Sequence, residues 1–235
     1  MLRKSLTLGR VAALLAFGSG AVLMAQSTDD VDPFMKLHFQ AGSKTDQGQR
    51  NGFGFGFGAN IKVGAGTLGF EASYTTTPGQ ITRADIPANT LNYNQSNSVI
   101  TKKHTTELLG ARISYGMSIN ENWAWHIGVG LAHVKDRLET VGDFEGSALS
   151  PDGLDGVWNA DSEKSSFSAA PFVGLNYKLS SSGSLEFNVI FMNNKRADVT
   201  PVFAPSAPAY RRVTPSYGSS SYSDARLEVG YTFHF

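Results

Sequence analysis

The chain has 235 residues, twenty basic against twenty acidic, and no cysteine. That balance gives no general pull toward nucleic acid, and the missing thiols exclude a disulfide framework, so an exported chain of this size must be held together in another way. The length fits one all-β domain behind a leader. Arg3, Lys4 and Arg10 precede an apolar stretch from Val11 to Ala25 that ends on a small residue, which predicts residues 1–25 to be a secretory signal peptide cut near Ala25-Gln26. A permanent membrane helix needs about 20 apolar residues, and Gly18-Ser-Gly20 interrupts a shorter run. Removing the leader takes away three positive charges and no acid, leaving a net charge of −3 on residues 26–235.

From there the dominant signal is period two, the alternation of a strand with two different faces. The first predicted strand, about 34–41, sends Met35, Leu37 and Phe39 outward and Lys36, His38 and Gln40 inward. The second, about 52–63, sets Phe53, Phe55, Phe57, Ala59, Ile61 and Val63 against Gly52, Gly54, Gly56, Gly58, Asn60 and Lys62. The third, about 67–75, switches parity after Gly64-Ala-Gly66, with Leu68, Phe70, Ala72 and Tyr74 outward and Thr67, Gly69, Glu71 and Ser73 inward. The fourth, about 105–118, alternates Leu109, Ala111, Ile113, Tyr115 and Met117 with Gly110, Arg112, Ser114 and Gly116. The fifth, about 122–134, has Trp123, Trp125, Ile127, Val129 and Leu131 outward and His126, Gly128 and Gly130 inward.

The sixth strand, about 165–179, alternates Phe167, Ala169, Pro171, Val173, Leu175 and Tyr177 with Ser168, Gly174, Asn176 and Lys178. Pro171 removes a ladder donor and marks a bulge or an edge. The seventh, about 184–194, alternates Leu185, Phe187, Val189 and Phe191 with Glu186 and Asn188. The eighth, about 223–235, alternates Ala225, Leu227, Val229, Tyr231, Phe233 and Phe235 with Asp224, Arg226, Glu228, Gly230 and His234.

Connections 64–66, 119–121 and 180–183 are short, while 42–51, 76–104, 135–164 and 195–222 are longer and mostly polar. Alternating short and long connections is the pattern of an outer-membrane barrel, with short turns and both chain ends on the periplasmic side. Aromatic placement gives two belts. Tyr115, Trp123, Trp125, Tyr177, Tyr231 and Phe235 gather at the periplasmic ends, and Phe39, Phe53, Tyr74, Phe167 and Phe191 at the outer ends. The expected fold is therefore all-β: an eight-stranded antiparallel up-and-down transmembrane β-barrel, residues 26–235, with three short periplasmic turns and four extracellular loops. A soluble lipocalin-like barrel is the alternative, and it would turn its aromatics inward.

An eight-stranded lumen is only wide enough for side chains, so inward charges must pair or reach water. The inward set contains Lys36, Glu71, Arg112, Lys178, Glu186, Arg226 and Glu228. Lys178 and Glu186 are expected to pair across the 180–183 hairpin, and Glu71 and Arg112 to lie at similar depth on neighbouring strands. The reading adopted is a packed polar plug; the alternative is a narrow conducting path, for which the inward glycines leave space.

The last segment, Glu228-Val-Gly-Tyr-Thr-Phe-His-Phe235, resembles the C-terminal assembly signal of bacterial outer-membrane barrels, carried by Gly230, Phe233 and Phe235. Over residues 26–235 the chain resembles the small eight-stranded outer-membrane family, which includes the outer-membrane protein A, X and W types and the neisserial opacity proteins. The resemblance implies outer-membrane lipid and lipopolysaccharide as surroundings, the barrel-assembly machinery as partner of the last strand, and a surface ligand at loops 76–104, 135–164 or 195–222. It transfers no catalytic residue, cofactor or metal. His133, with Asp136 three residues on, is the one candidate base, but no serine stands beside it, and the His-x-Ser-Asn run of barrel lipid deacylases is missing. Gly64-Ala-Gly-Thr-Leu-Gly69 has dinucleotide-motif spacing but opens a strand, so it reads as a turn. Asp143, Glu145, Asp152, Asp155 and Asp161 lack calcium-loop spacing. Lys102-Lys103 and Arg211-Arg212 are read as loop residues. The function expected is a non-enzymatic barrel for envelope structure and loop display or adhesion, with a narrow channel for small or hydrophobic solutes second and an outer-leaflet lipid enzyme third.

Overall fold

A strand with one apolar and one polar face has two surfaces to satisfy, and a sheet closed on itself satisfies both without leaving an edge. The computed structural model describes residues 31–45, 48–85, 99–144, 156–203 and 213–235, so the expected signal peptide lies outside the described residues. Eight antiparallel strands follow in order: β1 (Val31–Thr45), β2 (Gly48–Val63), β3 (Gly66–Asp85), β4 (Val99–Ser118), β5 (Trp123–Phe144), β6 (Gly156–Lys178), β7 (Gly183–Phe203) and β8 (Val213–His234). Each pairs with its sequence neighbour, and β8 returns to β1 through Phe34↔His234 to Gly42↔Arg226, closing the barrel.

The tight turns lie at one end. Gly64 takes φ 62° between β2 and β3, a left-handed conformation that glycine adopts without strain. Between β4 and β5, Asn120 Oδ1 accepts the N–H groups of Asn122 and Trp123, both at 2.9 Å. Between β6 and β7, the Leu179 N–H reaches Gly183 O at 3.0 Å.

At the other end the strands are longer than the sequence pattern suggests. Much of the expected loops 76–104, 135–164 and 195–222 is strand: β3 runs to Asp85, β4 begins at Val99, and β7 and β8 pair up to Phe203↔Val213. The first long connection is also mostly hairpin, with Lys44↔Gln49 and Thr45↔Gly48 paired. β3 passes Pro78-Gly79 by a bulge between Thr77 and Gln80, where a proline without an N–H breaks the ladder. The outer extensions were hidden because their faces exchange chemistry. Leu108, Val134 and Leu138 are buried on the inward face, while Lys103, Arg137 and Glu139 stand outward. A search for outward apolar residues ends where that exchange begins.

In the lower part the outward face is apolar and open. Leu37, Phe53, Ile127, Val129, Leu131, Phe167 and Phe191 are each at least half or nearly half exposed, with Phe167 at 72%. From Trp123 to Leu131 a strand tilted about 40° rises roughly 20 Å, close to the ~25 Å apolar band of a membrane barrel. Water would make such a continuous belt unstable, and hydrocarbon is its natural surrounding. Val129→Arg puts a charge near the middle of that band, and is expected to cost about 2–4 kcal/mol. Urea titration of the refolded barrel in lipid vesicles checks this: an unchanged midpoint would contradict the assigned band.

Candidate functional site

The alternation that turns apolar side chains to lipid turns a charged set into the lumen, and register decides which of them meet. Glu71 of β3 lies directly opposite Arg112 of β4 in the ladder. Lys36 on β1 is fully buried and its Nζ touches three carboxylates, Glu71 at 2.5 Å, Glu228 at 3.1 Å and Glu186 at 3.3 Å. Arg112 reaches across the ring to β8 and grips Glu228 with both terminal nitrogens, at 2.7 and 2.9 Å. β4 and β8 stand on opposite sides of an eight-membered ring, so this bidentate pair is a strut across the bore.

Neutral donors complete the carboxylates. Gln40 Nε2 donates to Glu228 Oε2 at 2.7 Å, and Asn188 Nδ2 donates to Glu228 at 3.0 Å and to Glu186 at 2.5 Å. Asn188 Oδ1 lies 2.6 Å from His126 Nε2, and His38 Nε2 lies 2.8 Å from Thr75 Oγ1. Arg226 binds Asp224 at 2.7 Å and extends the network to Gln40 Oε1 at 3.3 Å. Buried charges persist only when paired and hydrogen-bonded, and this arrangement supplies both.

Lys178 is not part of the cluster. The register sets Asn176 opposite Glu186 and Lys178 opposite Ser184, so the expected Lys178–Glu186 pair does not form. The first pair beyond the turn is Lys178↔Ser184, two positions short of Glu186, and Lys178 is exposed at the rim while Glu186 turns to Lys36.

Several inward glycines lie hard against this packing. A methyl group on Gly230 would lie 3.0 Å from the Lys36 stem, on Gly56 3.1 Å from Glu71 Oε1, and on Gly128 2.6 Å from the Phe172 ring. Phe172 itself escaped the sequence reading, because an inward aromatic breaks the alternation. It is buried beneath the Arg112 guanidinium, 5.5 Å from Cζ to the ring centroid.

The lumen is layered around this cluster. Toward the tight turns a cavity of about 500 Å³ opens, lined among others by Asn60, Lys62, Ser114, Asn176 and Glu186. Toward the long hairpins the filling is mixed: apolar clusters, first Leu108, Ala132, Val134, Ala170, Phe172, Ile190 and Met192, then Leu138, Ala160, Ala197 and Val199, with His104, Thr106, Asp136, Asn194 and Arg196 buried at the same height.

His133 and Asp136 lie on opposite faces of β5. His133 packs outward with its ring 5.0 Å from that of Phe167. Asp136 is fully buried inward, accepting Thr106 Oγ1 and the Ala197 N–H, both at 2.9 Å. Lys102 and Lys103 are strand residues, bound to Asp198 at 2.8 Å and Glu139 at 3.0 Å. Arg211, Arg212 and Tyr210 lie outside the described residues, as do Glu145, Asp152 and Asp155.

The aromatic side chains fall at two heights. Phe39, Phe53, Phe167 and Phe191 are exposed toward the long hairpins, with Tyr74 half-buried beside them. Tyr115, Trp123, Trp125 and Phe235 are exposed toward the turns, where Tyr177 meets Trp123 with tilted rings at 4.7 Å and Tyr231 meets Phe233 edge-on at 4.5 Å. The Phe235 N–H reaches Pro33 O at 3.1 Å.

A closed ladder, an apolar exterior between two aromatic rings and a charged interior define one class of protein. This is a closed eight-stranded antiparallel β-barrel with the exterior of a membrane-spanning one. No family model matches the chain, and no curated protein matches it. Among solved structures it is similar to neisserial surface protein A, at 13% identity over 87% of this chain and 97% of that one, TM-score 0.45. It is also similar to OprG of Pseudomonas aeruginosa, at 13% identity over 88% and 97%, TM-score 0.44. A third is Ail of Yersinia pestis, at 11% identity over 88% and 98%, TM-score 0.43.

Proposed function

We propose that this chain is a non-enzymatic outer-membrane barrel that serves the envelope as a closed structural element presenting its outer hairpins to the surroundings. One observation carries the reading: the Arg112–Glu228 strut, locked by Lys36, fills the bore at its charged level. Above the apolar band, β4 to β6 continue as a hairpin wall carrying Lys103, Arg137, Glu139 and Glu163 outward, and Lys135 binds Glu163 at 3.0 Å. Mixed charge at this height suits contact with lipopolysaccharide headgroups or a surface ligand in segments 76–104, 135–164 and 195–222. The turns and both chain ends are then periplasmic, and the last strand, with Gly230, Phe233 and Phe235, addresses the assembly machinery. Residues 1–25 act as the cleaved leader.

Planar-bilayer recording tests the closed bore. Purified barrel is expected to give no reproducible single-channel steps, and stable conductance from the folded barrel would overturn the plug. A narrow route for small apolar solutes is the second reading. It is favoured by the apolar cluster around Val134 and Ile190 and by the β6–β7 ladder, which stops at Phe172↔Ile190 within the apolar band. Uptake of a small apolar solute into cells, faster with the barrel than without it, would select that reading.

A further inference from the structure

The ladder between β6 and β7 covers only Phe172–Lys178 and Ser184–Ile190, although both strands continue far beyond. It stops beside Pro171, whose nitrogen has no hydrogen to donate, while the β5 ladder passes the same residue through Val129↔Pro171 without a shift. On the far side β8 leaves β1 after Gly42↔Arg226. The outer half of the β7–β8 hairpin, Phe191–Phe203 with Val213–Ala225, is thus laddered only to itself among the described residues.

It does not stand upright. Three successive edge N–H groups of β7 go to side chains: Asn193 to Ser168 Oγ at 3.0 Å, Lys195 to Ser166 Oγ at 3.4 Å, and Ala197 to Asp136 Oδ2 at 2.9 Å. Serine and aspartate oxygens here replace the missing backbone acceptors. Because Ser166, Ser168 and Asp136 point into the lumen, the β7 arm passes behind β6 toward β5, and Asp198 closes on Lys102 of β4 at 2.8 Å. Ala197 and Val199 are fully buried against Leu138 and Ala160.

We propose that this outer hairpin is a hinged cap with two seats, the inward one described above and an outward one in which β7 zips onto the free edge of β6. The existing register continues without interruption into the second seat: Ser165 would face Ala197, Glu163 would face Val199, and Lys164 would receive Asp198 in place of Lys102. That movement exchanges three side-chain acceptors for a backbone ladder, pairs an edge otherwise left open at hydrocarbon depth, and uncovers Val134 and Leu138 above the charged cluster. The hinge lies at Pro171 and Ile190, and Asp136 is the latch.

The absence of native cysteine makes the test clean. Ser165 is exposed outward and Ala197 is fully buried inward with its N–H on Asp136, so a Ser165→Cys/Ala197→Cys pair is expected to bridge from the zipped seat, where the two residues stand opposite each other. Leu175→Cys/Phe187→Cys, opposite each other in the constant ladder, serves as the folded control. Under mild oxidation in membranes the control bridges readily. The 165/197 pair is expected to bridge slowly, and Asp136→Ala is expected to speed it about tenfold or more, the factor carried by one charge-assisted hydrogen bond. A control that bridges while the 165/197 pair stays open in both backgrounds overturns the second seat. A bridging rate that Asp136→Ala leaves unchanged overturns the latch.

Discussion

Glu228→Ala is expected to destabilise the barrel by about 3–5 kcal/mol, the cost of removing one partner from a buried ion pair. Glu228 is 1% exposed and accepts from Arg112 twice, from Lys36, from Gln40 and from Asn188. Without it, Lys36 and Arg112 retain only Glu71 and Glu186, and Arg112 loses both short contacts. Glu228→Gln separates two causes. The cluster of Glu71, Glu186 and Glu228 with Lys36 and Arg112 carries one excess negative charge, so glutamine makes it formally neutral. If total charge governed stability, glutamine would be harmless. Geometry argues otherwise, because the guanidinium fork needs two acceptors and glutamine offers one. Its expected cost is about 1.5–3 kcal/mol, between wild type and alanine. Equilibrium urea titration in lipid vesicles, followed by tryptophan fluorescence, ranks the three. Adding Arg112→Ala to Glu228→Ala should cost much less than Arg112→Ala alone, since residues within one network are not additive. Equal midpoints for wild type and Glu228→Ala would mean that water, not this cluster, fills the bore.

Parity was the legible part of this chain. A strand between two different solvents must alternate, so facing follows from residue type alone, and Lys36, Arg112 and Glu228 are assigned to the interior without any knowledge of the ladder. What parity cannot give is which inward residues meet. That depends on register, and two positions of register separate the expected Lys178–Glu186 pair from the observed Lys178↔Ser184, leaving Glu186 to Lys36. Arg112 pairs with Glu228 across the ring rather than solely with its ladder neighbour Glu71, 3.6 Å away, because an arginine stem is long enough to span a narrow lumen.

The outer third was illegible for a different reason. Above the membrane both surfaces change partners: the exterior meets water and the interior fills with Leu138, Ala160, Ala197 and Val199. Period two persists there with its chemistry reversed, and polar outward residues read as loop. Asp136 illustrates the difficulty. In sequence it lies among Lys135, Arg137 and Glu139, a run of solvated charges, yet its position in β5 sends it alone to the interior, where it receives a backbone N–H from another strand. Phe172 is the converse, an aromatic sent inward beside Pro171.

The Phe-Gly run of β2 treats Gly54 and Gly56 alike in sequence, but their surroundings predict opposite responses to one added methyl group. On Gly54 the new carbon would lie 2.5 Å from His38 Nε2 and 2.9 Å from Thr75 Cα, and against the Tyr74 carbonyl oxygen. Backbone of the neighbouring strand cannot retreat without breaking the ladder, and the 2.8 Å His38–Thr75 contact stands directly in the way. Gly54→Ala is therefore expected to cost about 1–3 kcal/mol, the usual range for overpacking a filled interior. On Gly56 the nearest atoms are Glu71 Oε1 at 3.1 Å and Ala72 O at 3.3 Å, and a few tenths of an ångström of carboxylate movement relieves the first. Alanine also restricts the unfolded chain, which favours the native state by about 0.4–1 kcal/mol. Gly56→Ala should then fall within about 1 kcal/mol of wild type, with the two variants separated by their urea midpoints in the same lipid. Identical midpoints would show that the inner face of β2 has room to spare, and the bore would have to be treated as a passage instead of a packed interior.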